Sequence, residues 1–129
     1  AFKNLEAAEN FIKNYDHYQI YGFGRWTVLD KDSEEFLGWC GLKYDEELHE
    51  YDLGFRFLKK YWGKGYATEA SELCLKLGFE EFKIPEIVGR VMPENVASIK
   101  VLEKLGMIYK ETRTKNGVEW LILSIKNKR

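Results

Sequence analysis

A strand-like aromatic segment runs directly into a turn with two glycines and then into an alanine-rich helix, over residues 53–72. The turn reads Gly63-Lys64-Gly65, and the predicted helix begins near Tyr66. Glycine adopts positive φ without a steric cost, and the first N–H groups of a helix have no intrahelical partner. With the positive end of the helix dipole, such groups favour a phosphate. The segment therefore predicts an anion-binding turn, with a short connection that binds nothing as the alternative.

Two nucleotide-binding patterns compete for this turn. In the run from Gly63 to Thr68, Thr68 stands where the dinucleotide fingerprint has its third glycine, and the turn lies mid-chain instead of opening a βαβ series. The phosphate loop of nucleoside triphosphatases needs a lysine followed by serine or threonine, and no such pair closes this turn. Neither pattern fits.

The charge balance argues against two classes of partner. The chain has 20 Lys and Arg against 21 Asp and Glu in 129 residues, so no net field attracts a nucleic acid or a membrane surface. No apolar run reaches the roughly 20 residues needed to span a bilayer, and the first residues show no signal pattern. We expect a cytoplasmic protein with neither partner.

Metal-binding patterns are missing from the sequence. Cys40 and Cys74 fall inside a predicted strand and a predicted helix, without Cys-x-x-Cys spacing. His17 and His49 are isolated from each other and from the cysteines. We expect two buried, reduced thiols and no metal site.

Hydrophobic periodicity and turn residues predict one domain of mixed α/β (α+β) class over residues 1–129. The predicted elements are a helix over 5–18, an antiparallel meander of strands over 25–29, 35–43 and 48–58, a helix from Tyr66, a strand over 86–92, a helix between Asn95 and Gly106, and a hairpin of strands over 107–114 and 118–126 around Asn116-Gly117. The strand over 86–92 completes a βαβ unit and should run parallel to the third strand.

Two segments carry a resemblance to a known family. Lys60-Tyr61-Trp62-Gly63-Lys64-Gly65 resembles the (Gln/Arg)-x-x-Gly-x-(Gly/Ala) signature of the GNAT superfamily of acyl-CoA-dependent N-acetyltransferases, with Lys60 in place of Gln or Arg. The run over 61–70, together with Asn95-x-x-Ser98 and residues 102–107, looks most like the Rim-type group, which includes ribosomal-protein N-terminal acetyltransferases. The order of elements matches the GNAT fold.

One feature departs from that family. Its members usually begin with a strand and a helix ahead of the segment that starts at Leu5 here. We therefore expect the domain to be N-terminally incomplete. A homo-oligomer could cover the sheet edge that this leaves exposed.

The resemblance implies acetyl-CoA as co-substrate. Its pyrophosphate would bind the N–H groups from Trp62 to Ala67, its pantetheine arm would run along the backbone of residues 55–58, and residues of the later helix would touch its far end. The implied cofactor-binding residues are Phe55, Phe57, Leu58, Lys60, Trp62, Gly63, Lys64, Gly65, Tyr66, Ala67, Asn95 and Lys104. Asn95 can also be a plain N-cap, and Lys104 a solvated lysine.

Direct acetyl transfer to an amine needs a proton acceptor for the amine and a proton donor for the departing thiolate. By resemblance Asp52 and Glu50 are the candidate bases, with structural or solvated carboxylates as the alternative. Many family members carry a tyrosine acid where this chain has Leu102, so Ser98 is the candidate acid, and local capping of the helix is its alternative role.

The resemblance points first to a protein N-terminal α-amine as acceptor. Two other functions remain open. One is acetylation of a small amine such as a polyamine or an aminoglycoside, which an acidic acceptor rim would favour. The other is a non-catalytic acyl-CoA-binding module.

Overall fold

A six-stranded mixed sheet carries two helices in the computed structural model, which describes residues 25–29 and 35–128. The strands are β1 (Arg25–Leu29), β2 (Phe36–Asp45), β3 (Glu50–Phe57), β4 (Glu86–Val91), β5 (Ile108–Lys115) and β6 (Val118–Lys126). The helices are α1 (Tyr66–Glu80) and α2 (Val96–Lys104), and a single 3-10 turn spans Lys59–Tyr61. The helix predicted over 5–18 lies outside the described residues.

The sheet has the order β1-β2-β3-β4-β6-β5. The first three strands form the predicted antiparallel meander, and β3 and β4 are parallel as predicted. That parallel contact is short, since only Tyr51↔Ile87 and Asp52↔Val88 pair across it. Beyond these pairs the two strands diverge toward their carboxyl ends.

Strand β3 begins two residues later than predicted, because the preceding turn is closed by a side chain. One oxygen of Asp45 accepts hydrogen bonds from the N–H groups of Glu47 and Leu48, at 3.0 and 3.1 Å. His49 then takes a positive φ of 54°. Residues 46–49 are therefore committed to the turn, and strand pairing starts at Glu50↔Asp45.

Helix α1 packs on the sheet through small and apolar residues. Ala70, Cys74 and Leu77 are buried, and their neighbours in the core come from β2, β3 and β4. The Sγ atoms of Cys40 on β2 and Cys74 on α1 lie 2.9 Å apart as free thiols. Burial raises the pKa of Cys74 well above its usual value, so this sulfur remains a protonated thiol at neutral pH.

The C-terminal hairpin forms around Asn116-Gly117 as predicted. Both residues have positive φ, 53° and 78°, which a two-residue type I′ turn requires. Strand β6 then inserts between β4 and β5, pairing with β4 from Glu86↔Lys126 to Val91↔Leu121. Because β6 lies beside β4, the sheet continues beyond the point where β3 and β4 stop pairing. Strand β6 therefore forms one wall of the opening between β3 and β4.

Candidate active site

The glycine turn presents an open, positively polarised face. Gly63 and Gly65 have φ values of 78° and 83°, and a Cβ built on either would meet no atom within 4 Å. Gly65 is the N-cap of α1 and no side chain caps the helix. The N–H groups at the start of α1 therefore point into open space and can bind an anion.

The available N–H run is shorter than the sequence prediction. The N–H of Trp62 donates to the carbonyl of Lys59 at 3.1 Å within the 3-10 turn, so the free run begins at Gly63. The Trp62 side chain is 59% exposed, and its Nε1 donates to the carbonyl of Phe57 at 2.9 Å. Trp62 thus ties the turn to the end of β3 instead of offering its own amide.

The two lysines beside the turn differ in their partners. The Nζ of Lys60 lies 3.0 Å from a carboxyl oxygen of Glu35, and this hydrogen bond raises the pKa of Lys60. The Tyr61 hydroxyl donates to the same oxygen. The Nζ of Lys64 lies 5.9 Å from the centre of the Tyr61 ring and has no ion pair among the described residues. Lys64 is therefore the better placed of the two to meet an anion.

The divergence of β3 and β4 opens a cleft of about 330 Å³. Its walls come from β3, the end of β4, the start of α2, and two tryptophans on β2 and β6. The lining residues are Trp39, Leu53, Gly54, Phe55, Arg90, Val91, Met92, Asn95, Ser98, Leu102 and Trp120. The cleft lies where the third and fourth strands of the sheet stop pairing.

Backbone groups of β3 point into this opening. The N–H of Leu58 donates to the carbonyl of Leu37 at 3.0 Å, so Leu58 and every second residue before it face β2. The N–H and C=O groups of Leu53, Phe55 and Phe57 therefore face the diverging side. The carbonyl of Phe57 is occupied by Trp62. Phe55 fits the predicted cofactor strand, while the N–H of Leu58 is already used within the sheet.

Helix α2 brings Asn95 and Ser98 to the cleft. The side-chain oxygen of Asn95 accepts the backbone N–H of Ser98 at 3.2 Å, which confirms the predicted N-cap. This cap uses the amide of Ser98 and not its hydroxyl. Leu102 is buried behind them. Lys104 lies in the last turn of α2, about 13 Å along the axis from Asn95, and does not line the cleft.

A charged cluster lies on the opposite face of the sheet from α1, beside the cleft. Glu50, Asp52 and Gly54 share this face of β3, because alternate residues of a strand point the same way. Arg90 of β4 contacts three carboxylates: its Nη2 lies 3.2 Å from Glu50 and 3.3 Å from Asp45, and its Nε lies 3.7 Å from Asp52. The two candidate bases therefore share one arginine.

Glu50 is held by a second arginine. The Nη1 and Nη2 of Arg113 donate to its two oxygens at 2.8 and 2.6 Å, a bidentate pair that favours the ionised carboxylate. These hydrogen bonds lower the pKa of Glu50. A carboxylate whose charged form is stabilised in this way is a poor acceptor for a proton from an amine.

Asp52 has the opposite environment. No hydrogen bond to its carboxyl group is present among the described residues, and its side chain is 23% exposed. Burial raises the pKa of Asp52 to about 6, against the opposing attraction of Arg90 and with a further push from the negative charge of Glu50. A carboxylate with this pKa is mostly ionised at neutral pH and can accept a proton near that pH. The geometry favours Asp52 over Glu50 as the base.

Sequence reasoning missed Arg90, Arg113 and the two tryptophans of the cleft. Arg90 offered one signal, since it is the lone charged residue within the apolar run from Ile87 to Met92. Trp39 and Trp120 come together only because β6 inserts beside β4, and nothing in their local sequence marks that neighbourhood.

Two classes of feature do not occur in the described part of the chain. Over residues 25–29 and 35–128, no helix is long and apolar enough to cross a membrane. Within the same residues, no group of three or more His, Cys, Asp or Glu side chains is arranged to hold a metal ion.

Comparison with known proteins gives a consistent picture. The family model described as an acetyltransferase (GNAT) domain matches residues 2–108. An uncharacterized protein of Bacillus subtilis, YkkB, is 40% identical over 94 residues, which are 71% of this chain and 55% of that protein. The chain spans about half to three-fifths of the length of three curated relatives, YkkB and the uncharacterized N-acetyltransferases p20 of Bacillus licheniformis and YnaD of Bacillus subtilis.

Solved structures share the fold. A GNAT-family acetyltransferase from Bacillus anthracis has a TM-score of 0.71 at 31% identity, over 81% of this chain and 67% of that one. A ribosomal-protein-S5-alanine acetyltransferase from Vibrio fischeri has a TM-score of 0.77 at 19% identity, over 95% and 72%. A spermidine N-acetyltransferase variant from Vibrio cholerae has a TM-score of 0.70 at 18% identity, over 98% and 76%. The last two likenesses concern the fold alone.

Proposed function

This chain belongs to the acetyltransferase (GNAT) domain family, and from that premise we propose that it transfers an acetyl group from acetyl-CoA to a primary amine, with a protein N-terminal α-amine as the acceptor. The observation that carries the proposal is the cleft at the divergence of β3 and β4. The glycine turn follows the carboxyl end of β3, and Arg90 in the wall of the cleft lies 3.7 Å from the Asp52 carboxylate.

The turn fits the pyrophosphate of acetyl-CoA. The left-handed glycines leave the N–H groups from Gly63 to Ala67 unobstructed, and Lys64 adds a positive charge nearby. The bound co-substrate supplies an activated acetyl thioester. At the turn, the protein holds a multiply charged group by backbone amides. Binding by the backbone avoids the entropy cost of ordering side chains.

The exposed edge of β3 fits an extended chain that carries amide groups. Asp52↔Val88 is the last parallel pair, so the backbone N–H and C=O of Phe55, which face the opening, have no strand partner there. An amide-containing arm can satisfy these groups in the manner of an added strand. This arrangement directs the reactive end toward Asn95 and Ser98 at the start of α2.

At the reactive end, the chain supplies two polar groups with distinct roles. Asp52 takes a proton from the ammonium form of the acceptor, because only a neutral amine attacks a thioester. The hydroxyl of Ser98, which is not used by the helix cap, donates toward the departing sulfur. Gly54 lies in the cleft wall between Leu53 and Phe55, and the ring of Trp39 packs over it, 3.5 Å from the position that a Cβ would take.

A thiol-release assay tests this function. The protein is incubated with acetyl-CoA and either a peptide with N-terminal alanine or serine, or spermidine. A third reaction without an amine is the control. We expect thiol release with the peptides and an acetyl group on their α-amine by mass spectrometry. Release with spermidine alone would favour the small-amine function. Binding of acetyl-CoA without release in any arm would favour a non-catalytic module.

The charged cluster bears on the choice between acceptors. Asp45, Glu50, Asp52 and Glu111 place four carboxylates near the cleft, and each of them pairs with Arg90 or Arg113. Because Asp45, Glu50 and Glu111 are already hydrogen-bonded to an arginine, they offer a polycation few free partners. A single ammonium group beside Asp52 is better matched, which is why an N-terminal amine is the acceptor we propose.

A further inference from the structure

Arg90 is the one charged group that both lines the cleft and contacts Asp52 among the residues that the structure describes. Its side chain is 29% exposed, and it reaches back from the cleft toward the beginning of β3. The acetyl transfer proposed above assigns no role to it. The contacts that its guanidinium makes with the three carboxylates indicate its role.

One edge of the guanidinium is anchored. Nη2 donates to both Asp45 and Glu50, at 3.3 and 3.2 Å. Each of these acceptors is itself fixed, Asp45 by the two backbone N–H groups of its turn and Glu50 by Arg113. A planar group held at one nitrogen by two fixed acceptors has little freedom to rotate. The position of Arg90 is therefore set from the side away from the cleft.

The other edge faces Asp52 without bonding to it. The Nε of Arg90 is buried and has no hydrogen-bond partner among the described residues. Oδ2 of Asp52 lies 3.7 Å from it, beyond hydrogen-bonding distance. A buried N–H without a hydrogen-bond partner costs free energy. Its position beside a carboxylate therefore indicates a role other than stabilising the fold.

We propose that Arg90 is a positioning residue: its guanidinium, anchored by Asp45 and Glu50, holds the Asp52 carboxylate in place by charge alone and so leaves both Asp52 oxygens to the acceptor amine. The inference rests on the proposed function, in which Asp52 is the base. A direct hydrogen bond would occupy an Asp52 oxygen and weaken it as a base, as happens to Glu50.

The charges around Asp52 set the expected effect of removing Arg90. The groups that face it from the neighbouring strands are Lys43 and Asp45 on β2, Glu50 on β3, Arg90 on β4, and, through Glu50, Arg113 and Glu111 on β5. Without Arg90 the carboxylates Asp45 and Glu50 remain and repel a charge on Asp52. Asp52 should then stay protonated to a higher pH.

The titration of Asp52 gives a test that does not require turnover. Carbon NMR of the aspartate side-chain carboxyl groups is recorded against pH, with Asp52→Asn identifying the signal. We expect Arg90→Gln to move the Asp52 midpoint upward from about 6 by about one pH unit or more, since an opposite charge within this distance shifts a carboxyl by about 1–3 units. Arg90→Lys should fall between, because lysine keeps the charge but lacks the fork that reaches all three carboxylates.

Lys110→Gln is the matched control. It also removes one positive charge from an ion pair of the sheet, with Glu86 at 3.1 Å, away from the cluster. The Asp52 midpoint should not move in this variant. A folded Arg90→Gln protein whose Asp52 titrates as in the wild type would overturn the proposal. If Arg90→Gln does not fold, Arg90→Met removes the same charge, and an unmoved Asp52 midpoint in that variant would overturn it equally.

Kinetics with a peptide bearing N-terminal alanine separate this inference from the proposed function. If the proposed function and the role of Arg90 are both correct, the acid limb of the pH–rate profile of Arg90→Gln moves to higher pH together with the NMR midpoint. The rate then recovers at high pH. If Asp52→Asn retains full turnover, the base assignment fails, whereas the NMR titration still reports whether Arg90 acts on Asp52. A rate that falls equally at every pH in Arg90→Gln, with an unmoved midpoint, would indicate a structural role only.

Discussion

Asp52 and Glu50 show how two like residues on one strand acquire different chemistry from their neighbours. They are two positions apart and face the same way, yet Glu50 receives two hydrogen bonds from Arg113 and Asp52 receives none from a described residue. Burial raises the pKa of Asp52, and hydrogen bonding lowers that of Glu50. At the residue scale, partner geometry and not residue type decides which carboxylate can accept a proton.

The first prediction follows from the direction of the Asp52 shift. Its pKa in the folded state, about 6, lies above the ordinary value of 3.8, so between about pH 4 and 6 the folded state binds more protons than the unfolded state. The free energy of unfolding should therefore fall as pH rises through this window, by roughly 2 kcal/mol from this group. Asp52→Asn should lack that fall. Urea unfolding of both proteins at pH 4 and pH 8 measures the difference, and an equal pH dependence in the two would contradict it.

A second prediction concerns turnover in the same variant. Asp52→Asn should lower the rate by about 10²- to 10⁴-fold, the usual worth of a positioned base, while acetyl-CoA affinity changes little because the glycine turn is untouched. Glu50→Gln serves as the comparison on the same face. A loss in Glu50→Gln with a normal rate in Asp52→Asn would transfer the role to Glu50.

Ser98 and Asn95 allow catalysis and capping to be separated. Since the cap bond joins the Ser98 amide to the Asn95 side chain, Ser98→Ala should keep the cap and lose about a hundredfold in rate if the hydroxyl is the acid. Asn95→Ala should instead destabilise the protein by about 1 kcal/mol. Thermal unfolding and initial rates for both variants give the answer. A near-normal rate in Ser98→Ala would exclude the acid role.

At the scale of single elements, short-range signals carried most of the prediction. The Asn116-Gly117 hairpin, the Asn95 cap and the helix that follows Gly65 all depend on residues within a few positions of each other, so the sequence alone located them. The contacts of Arg90 could not be found that way. Its partners are 40 and 45 residues distant in the chain, and they meet only after the register of three strands is set.

The role of the glycine turn in acetyl-CoA binding can be tested against a control glycine that also has positive φ. Replacing Gly63 and Gly65 by valine forces side chains into positive φ and should abolish acetyl-CoA binding, because the amides no longer present an open face. Gly117→Val imposes similar strain at φ 78° in the hairpin, remote from the turn. Both proteins should lose stability, but only the first should lose the acetyl-CoA-dependent rise in Tm. Retained binding in a folded double variant would remove the phosphate role of the turn.

At the scale of the whole molecule, the parallel contact of β3 and β4 divides the sheet into a meander and a unit of β4, β6 and β5. Only two residue pairs join the halves directly, while α1 and the core beneath it span both. A ligand that bridges the open part of this seam should stabilise the fold as a whole. Acetyl-CoA at 100 times its Kd should add about 2.7 kcal/mol, several degrees in Tm, and NAD or ATP should not. Differential scanning fluorimetry measures this, and protection by NAD alone would support dinucleotide binding instead.

The pair of sulfurs between β2 and α1 has a practical consequence for every such experiment. Cys40 and Cys74 are the only cysteines of the chain and both are fully shielded from solvent. A colorimetric thiol reagent added to the folded protein should find no reactive sulfur, so the colour that develops during turnover belongs to released CoA. In urea the same reagent should react with both cysteines. The rate of that reaction then measures how often α1 separates from the sheet.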